Sequence, residues 1–130
     1  MNARSLLAVC ALVIACDDAT RPVEPVWGKQ ACSHCAMLLS DPRFGAELTT
    51  EAGERYFFDD PGCMAAFVRD RSPRVRAMWV HQGSTWIDAK SARFERAASP
   101  MDYGFAASKN GTATWADVEA AATKRSGGES

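Results

Sequence analysis

Apolar positions along this chain change their spacing several times, and each change predicts an element. Residues 6–15 form an unbroken apolar run, Leu6-Leu7-Ala8-Val9-Cys10-Ala11-Leu12-Val13-Ile14-Ala15. It is shorter than the ~20 residues that span a bilayer and follows a single basic residue, Arg4. That is the layout of an export signal over residues 1–15. The next stretch, to Pro25, is polar and carries Pro22 and Pro25, which no helix interior or central strand tolerates. It is expected to be a tether over residues 16–25. Segments 45–50 and 54–58, rich in Thr, Tyr and Phe, read as a hairpin turning at Ala52-Gly53. From Asp60 the spacing becomes helical: Asp60 caps, Pro61 suits the first turn, and Cys63, Met64, Phe67 and Val68 form one apolar face that ends before Pro73. Strands are expected at 75–81 and 85–89, with a stretch at 91–97 ambiguous between strand and helix. A loop follows at 99–104, then a short strand at 105–108 and a turn at Asn110-Gly111. Thr114 and Asp117 have the spacing of a capping box for a last helix from Trp115 to about Lys124. Residues 126–130 are a polar tail.

The expected class is therefore α+β, with two small β-β-α units after a leader and tether. The folded domain is placed at residues 26–125. No residue-level repeat supports a recent duplication.

Composition narrows the function. Of 130 residues 47% are apolar, and 15 basic against 16 acidic residues leave a net charge of −1 with no basic run. Nucleic acid is excluded as a partner, because phosphate neutralisation needs a clustered basic face. Five cysteines are many for this length. Cys10 and Cys16 lie in or beside the leader, and Cys32, Cys35 and Cys63 remain. An odd number of thiols does not close into disulfides alone, whereas a metal site uses unpaired thiols.

The chemistry concentrates in Ala31-Cys32-Ser33-His34-Cys35-Ala36-Met37. Thiolates and a thioether are soft donors that favour Cu(I). Zinc sites use Cys, His and carboxylates and have little use for a thioether, so Met37 tilts the choice toward copper. In a strand, Cys35 and Met37 would share one face. His34 either binds the metal or polarises the thiols. Cys63, at a helix start, is either a thiolate favoured by the helix dipole or a small buried residue. Met64, Met78 and His81 read as structural. Asp59-Asp60 reads as a helix cap, with no partner in view for acid–base work. Two other classes stay open. One is a thiol–disulfide oxidoreductase built on Cys32 and Cys35, although such a motif should follow a strand in a βαβ unit. The other is a small structural zinc domain using Cys32, His34, Cys35 and Cys63. No nucleophile–base–orienter set marks a hydrolase, so an enzyme is not expected.

Several motifs occur together and in order. Val13-Ile14-Ala15-Cys16 is similar to the lipobox of bacterial lipoproteins, with an ordinary signal peptide as the alternative. Behind it come Cys-x-x-Cys-x-Met, Phe58-Asp59-Asp60-Pro61-Gly62-Cys63, Met78-Trp79-Val80, Trp86-Ile87-Asp88-Ala89 and Ser99-Pro100-Met101-Asp102-Tyr103-Gly104-Phe105. Over residues 26–108 this set resembles the NosL family, the accessory lipoproteins of nitrous oxide reductase. The resemblance implies a copper chaperone of the bacterial cell envelope, lipid-anchored through Cys16 on the periplasmic side. It implies one bound Cu(I), delivered to an ABC-type complex or a cuproenzyme for nitrous oxide reductase maturation in denitrification. It also implies two β-β-α-β units, and a monomer is expected. On this resemblance Cys35, Met37 and Met101 are the first-choice ligands, and Cys32, His34 and Cys63 are additional donors or a second site. This chain has Asp102 where many members have Gly.

Overall fold

The protein was analysed as a computed structural model that describes residues 18–128. The expected signal at 1–15, the lipidation site Cys16 and the last two residues of the tail lie outside the described residues.

Ala46–Thr50 (β1) and Arg55–Phe58 (β2) form the expected hairpin, with Ala46 opposite Phe58 and Thr49 opposite Arg55. Gly53 turns it at φ 86°, a left-handed conformation that glycine enters without a Cβ penalty. Pro61–Arg71 (α1) follows. It ends at Ser72 in the left-handed region, one residue before Pro73. The chain then returns as Val75–Gln82 (β3), antiparallel to β1, and turns into Thr85–Asp88 (β4). The sheet order is β2-β1-β3-β4. Phe94–Arg96 (β5) and Phe105–Ala107 (β6) make a separate two-stranded ladder, so the ambiguous 91–97 stretch resolves as strand. Trp115–Gly127 (α2) packs on α1. The Thr114 amide and hydroxyl both donate to Asp117, at 2.7 and 3.1 Å.

The class is α+β as expected, but the halves are unequal. The first runs β1-β2-α1. The second inserts the β5-β6 ladder between its sheet strands and α2. The helix α1 also departs from a one-faced amphipathic pattern. All seven residues from Pro61 to Phe67 are buried. The 99–104 loop and α2 cover what the sheet leaves open, so small residues (Gly62, Ala65, Ala66) occupy the remaining faces.

Every residue of β1 is buried, including the polar Glu47 and Thr49. Leu48 faces the core with Phe58, Met64 and Met78. The opposite face is covered by residues 18–27, which include most of the stretch expected to be a tether at 16–25. Thr49 Oγ1 donates to the Ala19 carbonyl at 2.7 Å, and the Val23 amide donates to the Glu47 carboxylate at 3.0 Å. Arg55 pairs with Glu47 and donates to the Arg21 and Asp18 carbonyls. The Glu24 carboxylate accepts both the Trp27 and Trp86 indole N–H, at 2.6 and 2.9 Å. The two indoles meet His81 edge-on, with centroids 5.8 and 4.9 Å away. His81 is thus buried within this strap, consistent with its structural reading. The prolines do not loosen the segment. They suit an extended strap whose polar groups bond to side chains rather than to a ladder.

A candidate metal centre

The site begins with a knuckle. Ala31 and Leu38 bridge at its base, and the Cys32 amide donates to the Met37 carbonyl at 2.7 Å. Inside it the Ala36 amide donates back to the Cys32 carbonyl at 3.0 Å, closing one tight turn around Cys32-Ser33-His34-Cys35. Ala36 takes φ 65°, which a non-glycine residue enters only at a cost. The Ser33 amide donates to Phe57 O on β2 and fixes the knuckle to the sheet edge.

The second half comes from the start of α1. Asp60 caps the helix, accepting from the Gly62 amide at 2.9 Å. That leaves Asp59 free for another role, and it turns toward the knuckle. The Cys35 thiol donates to Asp59 Oδ1 at 3.3 Å. Ligand atoms from Cys32, Cys35, Cys63 and Asp59 all lie within 4.8 Å of one another, close enough to hold one metal ion. Cys32, Cys63 and Asp59 are buried, Cys35 is partly exposed, and all three thiols are unbridged.

The electrostatics of the three sulfurs differ sharply. The Cys63 thiol donates to Cys32 Sγ, which also accepts the backbone N–H groups of Cys35, Asp59 and His34. These donors outweigh burial and hold Cys32 down to about 6, against an ordinary value of 9.0. Cys35 is pushed up to about 12, chiefly by burial, with the neighbouring Cys32 adding to the effect. Cys63 is raised further, first because its proton is held by Cys32 and then by burial. The thiolate is therefore on Cys32, not at the helix start where the dipole argument alone would put it.

Of the six expected donors, three converge: Cys32, Cys35 and Cys63. His34 is exposed on the turn. Cys35 and Met37 do not share a strand face, because the turn at Ala36 reverses the chain between them. Met37 is 59% exposed. Met101 is half-buried, and both of its backbone groups are fixed beside the centre. Its amide donates to Asp60 Oδ2 at 3.1 Å, and its carbonyl accepts from Arg125. The Arg125 guanidinium also lies 4.1 Å from the centre of the Tyr103 ring. Tyr103 in turn lies against Gly62, so closely that a Cβ there would come 2.0 Å from Tyr103 Cγ. Asp102 takes φ 59°, a left-handed conformation that Asp tolerates better than most. The loop carrying Met101 is thus clamped to the cap of α1. Burial raises the Asp60 carboxyl above its usual range, with bonds from Ser99, Gly62 and Met101 opposing that shift.

Asp59 is the member that sequence reasoning missed. A signal was present: two adjacent carboxylates precede a helix that needs one cap. No family model, no curated protein and no solved structure matches this chain.

Proposed function

We propose that this chain is a carrier for Cu(I), of the type its motifs resemble in the NosL family. It holds the ion at Cys32, Cys35 and Cys63 and hands it to a copper-accepting membrane complex or cuproenzyme. The observation that carries the reading is the convergence of three sulfurs within 4.8 Å. Three thiolates satisfy a soft monovalent ion, and a trigonal sulfur set leaves room for an incoming ligand from a partner. Cys35 supports release, because it is the partly exposed member of the cluster. Met37, exposed on the knuckle, and Met101, on the loop bonded to Asp60, complete the donor set that the resemblance implies. Lipidation at Cys16, a periplasmic location, a monomeric state and service to nitrous oxide reductase complete the proposal.

One observation favours a second reading. Asp59 is a hard donor, and three Cys with one carboxylate form a complete four-donor set for zinc. Anaerobic titration of the reduced protein with Cu(I) and separately with Zn(II), each against a competing chelator, separates the two. The carrier reading expects the more stable complex with Cu(I), lost in Cys32→Ser, Cys35→Ser and Cys63→Ser and weakened in Met37→Leu or Met101→Leu. Stoichiometric zinc that Cu(I) does not displace contradicts it, as does unchanged Cu(I) affinity in the three Cys variants.

A further inference from the structure

We propose that the cleft between residues 102–104 and the last turn of α2 binds an acidic polypeptide segment of a partner protein. That this partner is the protein receiving the metal rests on the carrier reading, whereas the cleft itself does not. The cleft measures about 450 Å³, and its walls carry three cations, Arg96, Lys124 and Arg125, against one carboxylate, Asp102. All four residues are exposed. This is a local excess of positive charge on a chain whose net charge is −1.

Two of the cations are held in place. The Arg125 guanidinium lies 4.1 Å from the centre of the Tyr103 ring and donates to the Met101 carbonyl. The Arg96 guanidinium lies 4.4 Å from the centre of the Phe105 ring. Both rings are buried, so each stack rests on the core. A guanidinium that stacks by its face keeps in-plane N–H groups for a carboxylate, and it loses less freedom on pairing than a mobile side chain does. Gly104 stands between the two aromatic residues at φ 87°, and a Cβ there would come 3.2 Å from Arg96 Nη1. Glycine at this position keeps the floor of the cleft open. Asp117, whose carboxyl also feels Arg96, is committed to the Thr114 amide and hydroxyl.

The chemistry favours carboxylates spread along a chain over one compact anion. The Gly104 amide donates to Ser99 Oγ at 2.9 Å, so this glycine offers no N–H to a phosphate cradle. Two guanidinium forks over separate rings, with a lysine beside them, match several carboxylates instead. Three cations are too few to track a nucleic acid. The position suits a metal acceptor. The loop that forms the cleft is bonded to Asp60, the cap of α1, through the Met101 amide at 3.1 Å. A segment seated in the cleft is thereby placed beside the metal centre.

The test is an NMR titration of reduced, metal-free protein with a hexaglutamate peptide at fixed ionic strength. The Arg96 and Arg125 Nε–H signals and the Gly104 amide are read. Saturable shifts centred on these groups are expected, weaker at high salt. Arg96→Gln and Lys124→Gln should each weaken binding about twofold to fivefold, the range of exposed ion pairs. Arg74→Gln, which alters a cation paired with Glu51 outside the cleft, should leave binding unchanged. Inorganic phosphate and vesicles of phosphatidylglycerol are run beside the peptide. Phosphate that moves the same signals with equal affinity, or vesicle binding that depends on Arg96 and Lys124, overturns the proposal. So do shifts that never saturate, or peptide binding that survives both Gln substitutions. No metal is present, so docking is scored separately from Cu(I) binding. Peptide binding by a chain unable to hold Cu(I) removes the carrier reading and leaves the cleft as a site for an acidic partner.

Discussion

The low value of Cys32 has a consequence for stability that can be worked through with its sign. In the unfolded chain all three thiols ionise near their ordinary value, 9.0, whereas folding lowers Cys32 to about 6 and raises Cys35 and Cys63. Between pH 6 and pH 9 the folded protein has released the Cys32 proton and the unfolded chain still holds it. Stability therefore rises with pH in this window, by about 1.4 kcal/mol per unit. Over three units the stabilisation amounts to about 4 kcal/mol, and it is lost as pH falls through 6. Above pH 9 the sign reverses. The unfolded chain ionises Cys35 and Cys63, the folded protein keeps those protons, and stability falls. The cluster alone thus places a stability maximum near pH 9. Two assays on reduced, metal-free protein under chelator read it. Thiolate absorbance in the near ultraviolet should show one equivalent appearing around pH 6 and no second one before the alkaline range. Denaturant unfolding at a series of pH values should show the rise from pH 6 to 9. Replacing Cys63 by Ala removes the thiol donor to Cys32, so the first thiolate should move upward and the slope should shrink. A titration in which no thiolate forms below pH 8, or one unmoved by Cys63→Ala, refutes the assigned hydrogen bonds.

Three further outcomes follow from particular contacts. Asp59→Ala removes the acceptor of the Cys35 proton and the carboxylate donor of the cluster, so metal affinity should fall about tenfold or more in chelator competition, with the fold intact by circular dichroism. Gly62→Ala drives a methyl into the Tyr103 ring, and the overlap should destabilise by about 1–3 kcal/mol in denaturant melts, outweighing any helix-propensity gain. A more stable Gly62→Ala protein would show that the 99–104 loop does not seat on α1. Arg55→Met removes the guanidinium paired with the buried Glu47 and should destabilise by about 3–5 kcal/mol, and an effect below about 1 kcal/mol would argue that the strap does not bury that pair.

Local rules account for most of what was legible in the sequence. The hairpin turn at Gly53, the Asp60 cap with Pro61 behind it, the stop before Pro73 and the Thr114–Asp117 pair each depend on a few adjacent residues, and each appears as expected. What escaped depends on partners far along the chain. The strap up to Pro25 looks like a solvated linker because Pro22 and Pro25 stand among polar residues. It is ordered because Glu47, Thr49 and Arg55, some 24 to 37 residues later, present matching groups. The one-residue shift between β1 and β3 at Thr49 and Thr50 has no local signal either. At the candidate centre the three thiols were legible as donors, and the zinc alternative grouped them with His34, but Asp59 in the place of that histidine was not legible. Sequence spacing joined Cys35 to Met37, whereas the left-handed Ala36 separates them and the fold joins Cys35 to Asp59 and Cys63. The sequence also left Cys63 open between a thiolate and a small buried residue, and the fold favours the second. A helix dipole acts on Cys63, but direct hydrogen bonds to Cys32 are shorter in range and stronger.

X-ray absorption at the metal edge of the anaerobically Cu(I)-loaded protein tests the central claim most directly, because it counts the neighbours of the ion. At least three sulfur neighbours are expected, the number falling when any one of Cys32, Cys35 or Cys63 is changed to Ser. A shell made of nitrogen and oxygen, or a sulfur count indifferent to Cys63→Ser, would contradict the account.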